Sequence, residues 1–412
     1  MQLLFVVFCL LHCWNQAAGD CGCKTNRKHS NEKSAQLSDS VDVASGPSTA
    51  GPAAVHDTHE KTNIIPSDTT CGAANDSENR QETGSTLSSP KSCSMARGPD
   101  GEQYCEAEGS PERQHSRKGM VFVEGGEFIM GTDNPVIVTD GEHPARRTYV
   151  KPFWLDEMEV SNADFEAFVA ATGYKTEAEK FGDSSVLNST IKDHSAAEQA
   201  TELVPWWYTV KGADWRHPEG PGSDISNRMD YPATHVSWND ATAYCKWRGA
   251  RLPREFEWEK ACKTALGGMR FPWGNSVEEA DNQRSANIWQ GTFPTNDTGA
   301  DGFKGTSPVH AFPYMKGLPI KNMIGNVWEW VEDIWSTEHA GIETTTEPSL
   351  QPTVDGASGE PDSRELRVKK GGSFMCHASY CFRFRCEARS ENTVDTTSSN
   401  LGFRCAADAV AE

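Results

Sequence analysis

Beyond residue 14 the chain has no apolar run long enough to cross a membrane, so the mature protein is expected to carry no membrane span. Basic residues are also scarce: 39 Lys and Arg face 59 Asp and Glu, a formal charge of −20. A phosphate backbone is gripped by a basic face, so no nucleic-acid partner is expected. Aromatics are nearly missing from one region, Tyr104 being the only one between Asp20 and Lys118. That region is rich in Ser, Thr, Gly, Pro, Asn and Glu. It cannot bury enough apolar surface to offset the entropy of ordering it, so residues 20–118 read as a disordered extension. Residues 1–118 hold 11 of the basic and 15 of the acidic side chains, which leaves the remainder at about −16. Such an acidic surface serves solubility and can attract basic peptide segments.

What is present at the start is a short apolar run, residues 3–14, followed by Ala17, Ala18 and Gly19. Residues 1–19 therefore read as a signal peptide, although no Lys or Arg precedes the run. Of 13 cysteines, Cys9 and Cys13 would leave with it, and the 11 that remain are an odd number in an oxidising compartment. Sequons at Asn75, Asn188 and Asn296 suit the same route. Cys21-Gly-Cys23 is spaced closely enough for thiol exchange, whereas Cys71, Cys93 and Cys105 read as incidental local disulfides.

From Gly119 the chain turns aromatic and Gly-rich. Met120 to Gly131 reads as two strands joined at Gly125-Gly126, and Arg147 to Leu155 as a further strand. Ser161 to Asp164 opens a helix that Gly173 stops. Residues 175–230 read as surface loops anchored by Trp206, Trp207 and Trp215. Ser237 opens a second helix that ends before Gly249, and Arg251 to Glu255 leads into a third through Cys262. On these helices Cys245 and Cys262 have apolar neighbours and read as buried disulfide partners for Cys386 and Cys405.

Three cysteines stand five residues apart, at Cys376, Cys381 and Cys386, after Lys370-Gly-Gly-Ser373. Residues five apart point to opposite faces of a strand and diverge on a helix, so Cys376 and Cys381 meet only if the chain bends between them. From Tyr380 the residues alternate: Tyr380, Phe382, Phe384 and Cys386 on one face, Cys381, Arg383 and Arg385 on the other. This predicts a strand in which Cys386 is a structural sulfur and Cys381 a thiolate favoured by two guanidinium groups. Three ordinary disulfide cysteines are the alternative. Between residues 282 and 335, Asn, Asp and Glu alternate with Gly in irregular order. Loops of this kind supply oxygens to hard cations, yet the EF-hand pattern is absent and Asx-turns or helix caps explain the same residues.

Several motifs occur in order: Met120 to Gly131, Phe153 to Asn162, Val236 to Trp247, Arg251-Leu-Pro-Arg-Glu255 with Glu257-Trp258-Glu259, Gly325 to Trp330, Lys370-Gly-Gly-Ser373 and Gly402-Phe-Arg404. As a set they resemble the formylglycine-generating enzyme (sulfatase-modifying factor) family, over about residues 119–408, with 409–412 as a tail. The resemblance implies a single compact α+β domain with little regular secondary structure, related to C-type-lectin-like folds. It implies disulfides Cys245–Cys405 and Cys262–Cys386, and two calcium ions, one on Asn287, Ile288, Asp301 and Phe303, the other on Asn322, Gly325, Val327 and Glu329. It implies that Cys376 and Cys381 are catalytic and hold copper(I), with Ser373 and His377 as hydrogen-bonding or proton-transfer groups. The implied reaction uses dioxygen to oxidise the cysteine of a Cys-x-Pro-x-Arg motif in newly made sulfatases to Cα-formylglycine. The implied place is the endoplasmic-reticulum lumen, with Cys21 and Cys23 binding thiol oxidoreductases that retain the protein, since the chain ends Val410-Ala411-Glu412 without a Lys-Asp-Glu-Leu signal.

Ala378 departs from a charged residue common in the family, and Leu187 to Gly222 and Ile342 to Ser363 look expanded, both as candidate borders of a substrate groove. Two rival readings stand beside the oxidase. One is a non-catalytic module that engages sulfatases or the active enzyme, which a permanent Cys376–Cys381 disulfide would favour. The other is a zinc site on Cys376, Cys381 and Cys386, for which no fourth ligand has ordinary spacing.

Overall fold

Ser161, Thr176 and Ser237 each begin a helix by the same reciprocal cap: the hydroxyl accepts the N–H three residues on, and the carboxylate there accepts the N–H of the cap. The helices are α1 (Asn162–Thr172), α2 (Glu177–Phe181) and α3 (Trp238–Trp247). Gly173, at φ 68°, ends α1 where the sequence placed its stop. The structure is a computed structural model that describes residues 93–97, 103–107, 117–199, 204–264, 269–276, 285–339 and 365–409. The expected signal peptide, Cys21-Gly-Cys23, Cys71, Asn75 and the segment Ile342 to Ser363 lie outside the described residues. Of the extension, a hairpin is described, β1 (Cys93–Arg97) antiparallel to β2 (Gln103–Ala107), within a unit that spans His29–Glu108.

In the main unit Phe165 and Phe168 of α1 pack on Tyr244 of α3, with Trp215 and Phe403 completing an aromatic core. The third expected helix, α4 (Glu255–Thr264), has every residue from Glu255 to Lys263 buried. Its charges are therefore answered inside the protein. Arg389 grips both oxygens of Glu255 at 2.8 Å, Arg251 grips Glu257 at 2.7 Å, and Glu259 meets Lys263 at 2.8 Å and Lys370 at 3.0 Å.

The strands β3 (Met120–Val123), β4 (Gly126–Met130), β5 (Arg146–Val150), β6 (Phe153–Asp156), β7 (Asp183–Leu187), β8 (Ala197–Gln199), β9 (Trp207–Lys211), β10 (Gly291–Thr292), β11 (Asn296–Asp297), β12 (Trp328–Ile334), β13 (Leu366–Lys370), β14 (Arg389–Thr393), β15 (Leu401–Phe403) and β16 (Ala406–Asp408) form small sheets. Their orders are β14-β13-β12-β15, β16-β6-β3, β7-β9-β8, β4-β5 and β10-β11. The β12–β15 pair is parallel and the others are antiparallel. Disulfides tie Cys245 of α3 to Cys405, between β15 and β16, and Cys262 of α4 to Cys386, just before β14. This is the pairing that the resemblance implies. It makes the main unit one α+β body sewn between its middle and its end.

Three sequence readings are corrected. The one strand read from Arg147 to Leu155 is two, β5 and β6, whereas the two strands read on either side of Gly125-Gly126 are present, β3 pairing with β6 and β4 with β5. Gly125 marks a close crossing between the two sheets, where a Cβ would lie 2.8 Å from Pro152 and from the Val150 carbonyl. Residues 175–230 are not only loops, because β7, β9 and β8 form a sheet there. These strands are short and set Ser184, Ser185 and Thr209 beside adjacent apolar pairs, Val186-Leu187 and Trp207-Tyr208, so alternation does not announce them, although Trp207 and Trp215 are buried anchors as expected. Residues 380–386 form turns, not a strand. The alternation there reflects salt-bridge partners for the arginines, since Arg383 and Arg385 are as buried as Phe384.

Candidate active site

The site begins where β13 ends. Gly371 (φ 91°) and Gly372 (φ 72°) turn the chain under other backbone: a Cβ on the first would lie 2.7 Å from the Met323 carbonyl, and on the second 2.9 Å from the Phe384 Cα. Only glycine fits both counts. The next residues are held by their neighbours' main chain. Phe374 N–H donates to the Asn326 carbonyl at 2.9 Å, Cys376 N–H to the Ser373 carbonyl at 2.9 Å, and Trp289 N–H to the Cys376 carbonyl at 2.9 Å.

The chain then bends through a helical turn, in which Cys381 N–H donates to the His377 carbonyl at 2.9 Å. That turn brings Cys381 back over Cys376, and the two sulfurs stand 3.0 Å apart, both fully buried. An S–S bond measures about 2.05 Å, so the sulfurs face each other without being joined to each other. The Ser373 N–H donates to the Cys376 sulfur at 3.4 Å. The Ser373 hydroxyl receives the side-chain amide of Asn400 at 3.0 Å.

Of the four residues expected to act, Cys376, Cys381 and Ser373 converge. The His377 ring has its Nδ1 bonded to Ser379 Oγ at 2.8 Å and stacks against Tyr380 at 5.9 Å between centroids. Ala378 is exposed beside it. Arg383 and Arg385 are committed to carboxylates: Arg383 grips Asp140 through Nε at 2.6 Å and Nη2 at 3.1 Å, and Arg385 grips Glu142 and Glu387. The expectation that their charge bears directly on Cys381 gives way to a neutralised, buried ion-pair set. Cys386 is bonded to Cys262, which removes it from any three-cysteine zinc site.

Sequence reasoning missed Asn400 and the aromatic wall beside the sulfurs. Phe293, in the β10–β11 turn, stacks on Tyr380 at 4.2 Å between centroids, and Trp206 and Trp289 meet its ring edge-on at 5.1 and 5.0 Å. Leu187, Val204, Trp207, Phe374 and Met375 pack behind them, which places part of the expanded Leu187 to Gly222 stretch next to the cysteine loop. Asn400 lies two residues before the Gly402-Phe-Arg404 motif, and that adjacency was its only signal.

The residues expected to form two calcium sets make different contacts. Asp301 accepts the N–H of Ile288 at 3.2 Å and of Phe303 at 3.1 Å, and Asn287 reaches the Gly305 carbonyl at 2.9 Å, so the first set is one loop cluster. Burial pushes Asp301 up to about 6. In the second set Glu329 is gripped by Arg404 at 2.6 and 2.7 Å, and Asn322 donates to Glu159 at 2.9 Å. Glu159, also bonded by Asn326 at 2.9 Å, was not foreseen. Burial, opposed by Arg404 and reinforced by Glu329, raises it to about 7. Arg404 pairs directly with Glu329, while its charge also acts on Glu159.

A model of the sulfatase-modifying factor enzyme 1-like domain matches residues 106–409. The chain belongs to that family. Within it, the chain is 55% identical to the formylglycine-generating enzyme of Mus musculus over 293 residues, 70% of this chain and 75% of the mouse protein. It is 41% identical to the inactive Cα-formylglycine-generating enzyme 2 of Bos taurus over 292 residues, 70% of this chain and 88% of the bovine one. The structure of PvdO from Pseudomonas aeruginosa superposes with a TM-score of 0.50 at 22% identity, covering 70% of this chain and 94% of PvdO, a likeness of fold alone. The family match begins inside the region read as extension, at the second strand of the β1–β2 hairpin.

Proposed function

We propose that the protein activates sulfatases by oxidising the cysteine of a Cys-x-Pro-x-Arg segment to Cα-formylglycine, with copper(I) bound by Cys376 and Cys381 and with dioxygen as oxidant. The observation that carries the reading is the 3.0 Å approach of two buried sulfurs. The name of the 55% identical mouse relative supports the reaction. Two soft donors, in a region where no group of three or more His, Cys, Asp or Glu among the described residues could hold a metal, fit a low-coordinate soft ion better than zinc. When bound, copper(I) supplies the one-electron chemistry with dioxygen that no protein side chain offers.

The chain's own residues do the rest. Cys376 and Cys381 bring their sulfurs together at the turn, and the Ser373 N–H donates to the Cys376 sulfur. Asn400 fixes the Ser373 hydroxyl, which can hand a proton to or take one from a group arriving beside Cys376. Half-buried Phe293 and Tyr380, backed by the buried Trp289, form an apolar wall on that side against which an extended peptide could pack. We further infer that Asn287, Ile288, Asp301 and Phe303, and Asn322, Gly325, Val327 and Glu329, hold structural calcium, with Glu159 beside the second set. A lumenal location rests on the N-terminal run and on the exposed sequon at Asn296.

The test is reconstitution of the protein with copper(I) under reducing conditions, addition of dioxygen and a Cys-Thr-Pro-Ser-Arg peptide, and mass spectrometry for an aldehyde product. Product that vanishes in Cys376→Ser and in Cys381→Ser supports the reading. Folded protein that binds the peptide and forms no product would favour the non-catalytic module, as in the inactive bovine relative.

A further inference from the structure

The aromatic wall beside the cysteine loop is carried in part by the β10–β11 hairpin, whose two faces differ. Thr292 pairs with Asn296 and Gly291 with Asp297. The Thr295 N–H closes the turn on the Thr292 carbonyl at 3.0 Å, and the Thr298 N–H donates to the Gln290 carbonyl at 2.6 Å, which carries the pairing one residue beyond β11. The half-buried Asp297 turns its carboxylate inward, where it accepts the Gly299 N–H at 3.0 Å and the Gln290 N–H at 3.4 Å. Successive residues of an extended chain point to opposite faces, so Asn296 and Thr298 share the face that Asp297 leaves. Both are exposed.

Asn296-Asp297-Thr298 is an acceptor triplet for N-linked carbohydrate, with no proline at its middle position. The fold sets it apart from the triplet at Asn188. Asn188 is half-buried, and its N–H donates to the Trp206 carbonyl at 2.9 Å. The Thr190 hydroxyl there donates to the Leu187 carbonyl at 2.8 Å, and Thr190 lines a cavity together with Trp215 and Phe374. A bulky, hydrophilic oligosaccharide needs open solvent around its point of attachment. The outer face of the hairpin offers it.

We propose that Asn296 carries an N-linked oligosaccharide, and that this glycan stands on the rim of the aromatic wall, where it passes a short extended peptide and hinders a long chain. The donor is an oligosaccharide joined to a lipid pyrophosphate. The bond from the sugar C1 to the phosphate oxygen breaks, a bond from the Asn296 amide nitrogen to C1 forms, the amide gives up one proton, and the lipid pyrophosphate leaves. The rim position follows from the hairpin itself. Phe293, three residues before Asn296, stacks on Tyr380 at 4.2 Å and meets Trp206 and Trp289 edge-on at 5.1 and 5.0 Å, so attachment point and wall share one short turn. The attachment rests on the lumenal reading, which the N-terminal apolar run supports independently of this triplet, and the effect on substrates rests on the proposed peptide wall.

The test expresses the full chain in a eukaryotic secretory host with a reporter sequon added after Glu412, once behind its own leader and once behind an independent signal peptide. Amidase release of the glycans in heavy-oxygen water marks each modified Asn as a labelled Asp, read by peptide mass spectrometry. Asn296 should be labelled in most molecules whose reporter is labelled. Thr298→Ala, which keeps the asparagine, should abolish the label at Asn296 alone, and Thr298→Ser should keep it. Dissociation constants for a Cys-Thr-Pro-Ser-Arg peptide and for a reduced, unfolded sulfatase chain are then compared between wild type and Thr298→Ala, so that no turnover is required. Loss of the glycan should tighten the long chain roughly three- to tenfold, by lifting the cost of confining glycan and chain together, and change the short peptide by less than about twofold. If Thr298→Ala does not fold, Asn296→Gln takes its place with the same outcome expected.

A bare Asn296 in molecules whose reporter is modified overturns the proposal. Equal tightening of both ligands, or none, overturns the rim role and leaves the glycan as a solubilising coat. A bare reporter behind the chain's own leader overturns the lumenal reading instead, while the chain behind the independent signal peptide still decides Asn296. Failure of wild type and variant alike to bind either ligand overturns the peptide wall and the rim role with it.

Discussion

The block of helices between Ser161 and Thr264 and the strap from Gly371 to Asn400 both place side chains in the core, yet they are specified in opposite ways. In the first, residues three or four apart decide the outcome: a cap, its returning carboxylate, and a glycine stop. In the second almost every fixed point comes from elsewhere. Asp140 meets Arg383 across 243 residues, Glu255 meets Arg389 across 134, and Cys262 meets Cys386 across 124. The difference teaches where damage should appear. A change in the block should cost stability and leave the cysteine pair alone, whereas a change in the strap should reach the pair.

The comparison breaks most visibly at Arg389. Replacing Arg389 by Met strands Glu255, which burial would raise and which Arg389 and Lys370 together hold low. Denaturant unfolding should show a loss of about 3–5 kcal/mol, and a loss under 1 would mean that Lys370 alone suffices. Next comes His235, lodged between Ser184 Oγ at 2.8 Å and the Pro218 carbonyl at 2.9 Å and pushed down by burial from 6.5 to about 4. Its folded value is depressed, so its contribution is whole above pH 6.5 and is lost as pH falls toward 4. Over that window unfolding free energy should drop by roughly 3 kcal/mol, and His235→Gln should flatten the slope.

Ser373→Ala sharpens the contrast from the strap's side. It should lower kcat/KM per folded molecule by about 10- to 100-fold, beyond the roughly 1–3 kcal/mol of stability lost when the buried Asn400 amide loses its acceptor, and full turnover per folded molecule would place Ser373 among the structural groups. The smallest effect belongs to the block: Ser161→Ala should cost about 1 kcal/mol in thermal or denaturant unfolding and leave turnover per folded molecule intact.

The same contrast explains what could be read from residues alone. Helix starts at Ser161 and Ser237 were legible because their signals are local, and the bend between Cys376 and Cys381 followed from parity, which needs no partner. The disulfide pairing came only through family likeness. The alternation from Tyr380 to Cys386 misled because an arginine paired inside a core repeats like one facing water. Glu159, Asp140 and Glu142 were invisible for a related reason: a carboxylate in a loop gives no sign that a guanidinium far along the chain will need it.

The parallel β12–β15 pair and the Cys245–Cys405 bond have a consequence for how the protein is made. Cys245 leaves the ribosome 160 residues before its partner, a wait of roughly 10–30 s at ordinary elongation rates. During that interval the middle of the molecule has neither its last central strand nor the guanidinium that settles Glu329. Folding is thus deferred until synthesis is nearly over. A message cut short before residue 401 would yield a chain that can never close, so quality control by the cell would see every truncated product as unfinished.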